Sequence, residues 1–381
     1  MPKRLSLLPS RLREKRVLMR VDFNVPVKKG HVQDDMRIQK TLPTIKALRE
    51  CRHKIILLSH MEDENGGTPT LLPIATYLRM HGMRQLIFSR DLDVEHVNKK
   101  IESMGPGDIL LLENVRKDPR EKKNSIQFAE ELASFGDVFI NEAFSASHRA
   151  HASIVGIPRF LPSYAGPLFR EEVRQLSRVF RPSHPFLLVL GGRKPVKLTL
   201  LSRFLYKADA VVVGGAIANT ILAAQGIAVG ASVIETAEKK IIEKLARSKK
   251  ILLPEDVVVE RNKRRKTILL ADMESQDIIY DLGPKTMEKA EALVGKSKFI
   301  LWNGPLGYTE KGYVESTEEL VSFFANGKRT VITGGGDTIA FLNQKKMLNS
   351  FSFVSTGGGA MLDFLAEHTL PGIEALIHAR V

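Results

Sequence analysis

The chain has almost no cysteine: Cys51 is the single one among 381 residues. One thiol cannot close an internal disulfide or build a multi-cysteine zinc site, so the fold must stand on its hydrophobic core. The roughly 18 uninterrupted apolar residues of a membrane-spanning helix are also missing. Residues 1–20 are too densely basic and too poor in apolar residues for a secretory signal, so the cytoplasm is the expected location. No low-complexity segment or short-period repeat occurs. Two phosphate-binding fingerprints are absent as well, G-x-x-x-x-G-K-[ST] and G-x-G-x-x-G, which excludes a P-loop protein.

What the chain has in excess is positive charge. Its 57 Lys and Arg stand against 43 Asp and Glu, a net charge of +14. With 43% hydrophobic and 26% charged residues the balance is otherwise that of an ordinary globular protein, so wholesale disorder is excluded. The excess points to anionic partners: nucleic acid, an acidic membrane surface or phosphorylated metabolites. The run Arg261–Lys266 keeps nucleic acid open, but no aromatic residues interleave with it, which favours a solvated basic loop.

The length predicts two or three domains. In the first half, short apolar runs (Arg16–Val27, Lys54–Ser59, Gln85–Ser89, Asp108–Glu113, Asp137–Asn141) alternate with stretches of helical spacing (Gln39–Glu50, Leu71–His81, Ser125–Phe135). The second half repeats the pattern, and four of its strands run into glycine. Pro185–Leu190 exits at Gly191-Gly192 and Ala210–Val213 at Gly214-Gly215. Thr330–Thr333 exits at Gly334-Gly335-Gly336, and Phe351–Thr356 at Gly357-Gly358-Gly359. Lys298–Trp302 ends in Asn303-Gly304-Pro305. Strands alternating with helices predict an α/β fold of two doubly wound parallel sheets, divided within Pro158–Pro185.

Ligands of open parallel sheets bind beyond the carboxyl ends of the strands. In the first half those ends carry Asp22, Asn24, Ser59, His60, Glu113, Asn114, Arg116, Asn141 and Glu142, followed by Arg37 and Ser147–His151. Arg37, Arg116 and Arg149 with the histidines form a basic floor for a small, multiply anionic ligand, because guanidinium grips phosphate and carboxylate oxygens in pairs. His148 and His151, at i and i+3, could be read as a metal pair, although no cysteine accompanies them. In the second half, glycine exits that open helices present backbone N–H groups to an anion. Asp337 adds a carboxylate for phosphate-bound Mg²⁺, and Lys194 and Lys197 bring charge to a terminal phosphate. One site for a small anion and one for a nucleotide together imply phosphoryl transfer.

The chain resembles the phosphoglycerate kinase family along nearly its whole length. The carrying motifs are Arg20-Val-Asp-Phe-Asn-Val-Pro26, Leu111-Leu-Glu-Asn-Val-Arg116, Asn141-Glu-Ala-Phe144, His148-Arg-Ala-His-Ala-Ser153, Leu253-Pro-Glu-Asp256, Gly283-Pro284, Trp302-Asn-Gly-Pro305, Gly334-Gly-Gly-Asp-Thr338, Ser355-Thr-Gly-Gly-Gly-Ala360 and Leu370-Pro-Gly372. The resemblance implies transfer of phosphate between 1,3-bisphosphoglycerate and ADP, giving 3-phosphoglycerate and ATP with Mg²⁺, in a cytoplasmic monomer. It implies a phosphoglycerate domain at residues 1–165, a nucleotide domain at 175–365, a hinge between them and a tail, 370–381, that returns to the first domain. Asp22, Asn24, His60, Arg116 and Arg149 would bind phosphoglycerate, and Arg37 would stabilise the transferring group. Lys194, Lys197, Gly335, Gly336 and Thr338 would contact the nucleotide phosphates. Asp337 would hold the metal nucleotide, Gly214, Gly215 and Gly283 would line the adenine site beside the Asn303 motif, and Glu310 would take the ribose.

Three positions depart from the family. Where it reads Ser-His-Leu-Gly-Arg-Pro, this chain has Ser59-His60-Met61-Glu62-Asp63-Glu64, which puts Asp63 in place of a phosphate-binding arginine. Losing such a contact costs about 1.5–3 kcal/mol of binding. The lysine loop Gly191-Gly192-Arg193-Lys194-Pro195-Val196-Lys197 is a residue short, and its proline lacks an N–H. Ser316-Thr317 replaces Gly-Thr. These departures leave a second reading open: a divergent paralogue that binds nucleotide with weak or no kinase activity.

Overall fold

The run Arg16-Val-Leu-Met-Arg20 forms a strand (β1) in the computed structural model, which describes residues 5–9, 12–63, 65–325 and 328–379. Its side chains alternate between two cores. Val17 and Met19 pack with Ile55, Leu57, Leu111 and Ile140, while Leu18 packs with Ile56, Leu58, Leu110 and Phe139. Burial on both faces is why these strands read as unbroken apolar runs rather than as alternating ones. The other strands are β2 (Lys54–Leu58), β3 (Ile87–Phe88), β4 (Ile109–Leu111), β5 (Val138–Asn141) and β6 (Ser163–Ala165). Their order is β3-β4-β2-β1-β5-β6, and every pairing is parallel. From β1 the chain builds outward through β2, then returns to add β5 on the other side. The order therefore reverses at β1, which opens a crevice at the carboxyl ends.

Two expected elements shift by three residues or more at one end. The strand predicted over Arg16–Val27 stops at Arg20: the Val21 N–H still reaches the Leu58 carbonyl, but side chains then take the donors of Phe23 and Asn24. Ser59 Oγ accepts the Phe23 N–H at 2.9 Å and Asp22 Oδ1 accepts the Asn24 N–H at 3.0 Å. Val27–Lys28 pairs separately with His31–Val32. The helix predicted from Gln39 runs over Met36–Glu50, since Asp34 Oδ1 already accepts the Met36 N–H.

In the second half, β7 (Phe186–Leu190), β8 (Ala210–Val213), β9 (Ile251–Leu252), β10 (Phe299–Asn303), β11 (Thr330–Gly334) and β12 (Phe353–Ser355) form another parallel sheet, ordered β9-β8-β7-β10-β11-β12. Here the reversal falls between β7 and β10. Trp302 lies fully buried in this sheet's core, with the rings of Phe324 and Phe351 at 5.6 and 5.8 Å. An antiparallel sheet of Arg264–Leu269, Asp256–Arg261 and Ile279–Leu282 accompanies it.

Contacts divide the chain into unit 1, residues 1–174 with 367–381, and unit 2, residues 175–366. The division falls inside the helix Pro167–Ser177. In unit 1 the helix Pro371–His378 is fastened by the Gly372 N–H, which donates to the Ser147 carbonyl at 2.9 Å. Among the described residues no helix is long and apolar enough to cross a membrane.

The exits of β7 and β10 touch. A Cβ added to Gly191 would lie 2.0 Å from the Pro305 carbonyl oxygen, far inside contact distance. Gly191→Ala is expected to destabilise unit 2 by about 1–3 kcal/mol. The urea midpoint followed by fluorescence of the single tryptophan, Trp302, should fall, and an unchanged midpoint would contradict the close approach.

Candidate active site

Arg20 ends β1 without exposed surface. Its Nη1 donates to the Val21 carbonyl at 2.6 Å, Nε to Ser153 Oγ at 2.9 Å, and Nη2 meets His60 Nδ1 at 3.1 Å. Burial lowers its pKa to about 10, so at neutral pH it remains charged. Glu121, equally buried, accepts from the Ser153 N–H and Oγ at 2.9 and 2.6 Å and supplies the countercharge. Burial and Arg20 hold the His60 pKa well below its ordinary value. The ring is therefore neutral, with Nδ1 as acceptor and its proton on Nε2.

Beside it, Arg37 lies in the first turn of Met36–Glu50, where a helix dipole disfavours a cation. Asp22 compensates: its Oδ2 is 3.0 Å from Arg37 Nη1, which also donates to the Asn24 carbonyl at 2.9 Å. Burial alone would raise the Asp22 pKa, but Arg37 and hydrogen bonds from Ser145 and the Asn24 N–H bring it well below the ordinary carboxylate value. Asp22, Asn24 and Arg37 thus share one network, with His60 Nδ1 4.0 Å from Asp22 Oδ1.

The loop after His60 resolves the question posed by its acids. Asp63 Oδ1 accepts the N–H groups of Asn65 and Gly67 at 3.0 and 2.7 Å, so this carboxylate closes its own turn. Glu64 lies outside the described residues. Glu62 instead reaches the cations: its Oε2 is 2.5 Å from Arg116 Nη1 and 3.6 Å from Arg149 Nη1, and its Oε1 is 3.0 Å from Lys122 Nζ. Burial would raise the Glu62 pKa, but Lys122, Arg116 and Arg149 outweigh it and lower it. The loop is pinned at both ends by Asn114, whose Nδ2 donates to the carbonyls of Met61 and Pro69 at 2.7 and 2.8 Å. Arg149 Nε donates to His148 Nε2 at 3.2 Å, so His148 supports an arginine. Burial and the surrounding arginines lower the His151 pKa to about 4, leaving that ring neutral. Among the described residues no three His, Cys, Asp or Glu side chains gather as a metal site.

Lys122 and Arg20 are members of this site to which sequence reasoning gave no role, and of the two only Arg20 carries a signal, as part of a quoted motif. Asn114 and His148 stand among the expected residues, but as anion or metal contacts rather than as the supports of the loop and of Arg149 that they are.

In unit 2 the reversal between β7 and β10 holds Lys197. Its Nζ donates to the Gly191 carbonyl at 2.6 Å and lies 3.4 Å from that of Asn303. Burial, and then Lys194, lower its pKa to about 8. Gly304, at φ +96°, leaves the space this ammonium uses: a Cβ there would be 2.5 Å from Nζ. Pro195 does not break the loop. It opens the helix Val196–Phe204 at φ −55°, a position where a missing N–H costs little. Lys194 is exposed one turn earlier.

Four glycines of unit 2 precede helices: Gly214 before Gly215–Ala224, Gly283 before Pro284–Lys296, Gly335 before Gly336–Gln344, and Gly358 before Gly359–Glu367. At Gly283 the amides of Lys285 and Thr286 already donate to the Asp256 carboxylate at 3.0 and 2.9 Å. Thr338 Oγ1 accepts the Gly304 N–H at 2.9 Å, which fastens the Gly335–Asp337 turn to the β10 exit, and Asn303 is buried beside Gly335. Asp337 stands in the first turn of its helix. Glu310 is exposed in the turn Thr309–Lys311. The basic run is a hairpin edge in which Arg261 pairs with Asp277 and Glu274 at 2.5 and 3.0 Å, and Arg265 with Glu315 at 2.5 Å.

A basic crevice on one parallel sheet and glycine-rich helix starts with a buried lysine on another are the equipment of a phosphotransferase. Comparison with known proteins makes this specific. The family model for phosphoglycerate kinase matches residues 8–368. The phosphoglycerate kinase of Coprothermobacter proteolyticus is 41% identical over 386 residues, covering 98% of each chain, and that of Pseudothermotoga lettingae is 40% identical over 391 residues, again covering 98% of each. Among solved structures, phosphoglycerate kinase from Coxiella burnetii superposes with a TM-score of 0.81 at 34% identity, covering 96% of this chain and 97% of that one. The enzyme from Pyrococcus horikoshii gives 0.85 at 30% identity, covering 96% of each. The chain belongs to the phosphoglycerate kinase family. Its reaction is reversible phosphoryl transfer from 1,3-bisphosphoglycerate to ADP, with a carboxyl group as acceptor in reverse, and nothing in the comparisons favours an inactive paralogue.

The third departure also finds its reason. Ser316 Oγ and N–H both donate to Asp281, and Thr317 Oγ1 accepts the Leu306 N–H at 3.1 Å, so the pair braces the segment before Glu310. Burial raises the Asp281 pKa to about 6. A raised carboxyl pKa favours folding below the ordinary value and loses that benefit as pH rises through the folded one. Unfolding free energy should therefore drop by roughly 2–3 kcal/mol between pH 4 and pH 7.5 on account of this group. Asp281→Asn is expected to remove that part of the slope in urea titrations. Identical slopes for the variant and the parent would contradict the assignment.

Proposed function

We propose that unit 1 holds the phosphoglycerate and unit 2 the nucleotide, with the residues in the following roles. The observation that carries this reading is the convergence of Arg116, Lys122 and Arg149 on one carboxylate beside Arg37, at the strand ends where the sheet order reverses. Arg116 and Arg149 take the phosphate of 3-phosphoglycerate, since guanidinium matches its oxygens in pairs. Asp22 and Asn24 orient Arg37 and the glycerate, and the neutral His60 offers an N–H. Arg37 supplies charge to the equatorial oxygens of the phosphoryl group in flight, which is electrostatic stabilisation without a covalent intermediate.

On unit 2, the amides at the Gly214–Gly215 and Gly335–Gly336 helix starts receive nucleotide phosphates, helped by Thr338. Lys194 and Lys197 contribute charge, Asn303 shapes the floor, and Gly283 and Glu310 border the base and ribose. A single carboxylate, Asp337, beside phosphate oxygens is a donor set suited to Mg²⁺, which is ordinarily held by one or two carboxylates with substrate phosphates. When bound, the ion would offset phosphate charge. Lys197 then moves from carbonyl oxygens to the anion.

Arg37→Ala is expected to lower kcat about a hundredfold to a thousandfold while leaving KM for ADP near its parent value, as for loss of one donor to a developing charge. A kcat within a few fold of the parent would remove Arg37 from the reaction. Calorimetry tests Lys197 separately. A lysine of pKa about 8 is mostly neutral at pH 8.5, and phosphate raises its pKa, so ADP binding at that pH should take up about 0.7 of a proton. Lys197→Met should abolish the uptake. Uptake equal in both proteins would contradict the contact.

A further inference from the structure

The cations of unit 1 are already holding an anion, and it belongs to the chain. Arg116 has a side chain only 1% exposed, yet among the described residues neither its Nε nor its Nη1 has an aligned hydrogen-bond acceptor. Its 2.5 Å approach to Glu62 is close but poorly directed. Glu62 bridges Arg116, Lys122 and Arg149 with two oxygens. A phosphate group has three, spread around a tetrahedron, and can meet the fork of Arg116 as well as both neighbours. Glu62 is also removable. Its side chain is 23% exposed, and its backbone is held independently by the Asn24 side chain, which accepts the Glu62 N–H at 3.0 Å. The carboxylate can therefore leave while the loop stays closed by Asp63 and Asn114.

Resting on the reading that Arg116 and Arg149 take the phosphate, we infer that Glu62 is an internal stand-in for the phosphate of 3-phosphoglycerate. It occupies the cations in the free protein and yields to substrate, and Lys122 is a third substrate cation in place of the absent arginine. The carboxylate prevents three close positive charges from repelling one another when no substrate is bound, at the cost of competing with the substrate. Lys122 fits the second part of the inference. It is half exposed, and among the described residues the only anion it reaches through an ion pair is Glu62.

A site occupied internally about nine-tenths of the time binds its ligand about tenfold more weakly than an open one. Glu62→Gln keeps the shape and removes the charge. In the full-length enzyme its KM and calorimetric Kd for 3-phosphoglycerate should fall by about tenfold, and the inhibition constant of sulfate competing with 3-phosphoglycerate should fall alongside, with KM for ADP unmoved. Glu62→Asp, one methylene shorter, should shift the same constants partway and carries the test if the first variant fails to fold. Lys122→Ala should raise Kd for 3-phosphoglycerate by about tenfold, the equivalent of one charge-assisted contact. Arg149→Ala separates the two levels of the argument. If it weakens 3-phosphoglycerate binding while the Glu62 variants leave it unchanged or weaken it, the site stands and the stand-in is overturned. If Arg149→Ala has no effect, the site reading fails and takes the inference with it.

Discussion

A guanidinium with no access to water, at the end of the central strand of the first sheet, sets the terms for unit 1. Arg20 has to remain charged, because even after burial its pKa lies near 10, and a buried charge must be paired and hydrogen-bonded to be tolerable. Its three donors fix three separate pieces of chain: the turn after β1, the ring of His60 after β2, and Ser153 with its Glu121. The geometry of the strand ends follows from that requirement. His60 is neutral because it is buried with Arg20 against it, and its Nε2 proton is available because Nδ1 is committed.

The same accounting extends outward. Each further cation has an internal partner matched to its burial: Asp22 for Arg37, and Glu62 for Arg116, Lys122 and Arg149. The two partnerships differ in kind. Asp22 is fastened from several directions by Ser145, the Asn24 amide and Arg37, so it orients rather than leaves. Glu62 is held by the cations themselves, on a loop fixed elsewhere. A site that must alternate between empty and multiply anionic needs one partner of each type. Unit 2 meets the same problem differently, lowering the pKa of Lys197 toward neutrality and giving its ammonium carbonyl oxygens to rest on.

The architecture was legible because the sheets are buried on both faces, which writes strands as apolar runs, and because glycine exits have no substitute where backbones nearly touch, as at Gly191. Asp22 and Asn24 were legible for a related reason, following the end of β1, and Arg37 because guanidinium is a residue type that grips anions. What stayed hidden depended on direction. Position placed Asp63 where an arginine belonged, but whether an acid there meets phosphate is decided by the turn Asp63–Gly67, and that turn points the task at Glu62 instead. Lys122 looks like any surface lysine near the end of a short helix. Arg20, closing an apolar strand, reads as the point where a strand meets solvent, and only burial shows otherwise. Pro195 looked damaging in a phosphate loop and is harmless at a helix start.

The claim on which the account turns is that one set of cations serves two anions in succession. The direct measurement is a crystal structure of the full-length protein with 3-phosphoglycerate bound. The account predicts the phosphate on Arg116, Lys122 and Arg149, with the Glu62 carboxylate withdrawn and its backbone N–H still on Asn24. A phosphate bound elsewhere, with Glu62 still against Arg116, would contradict it.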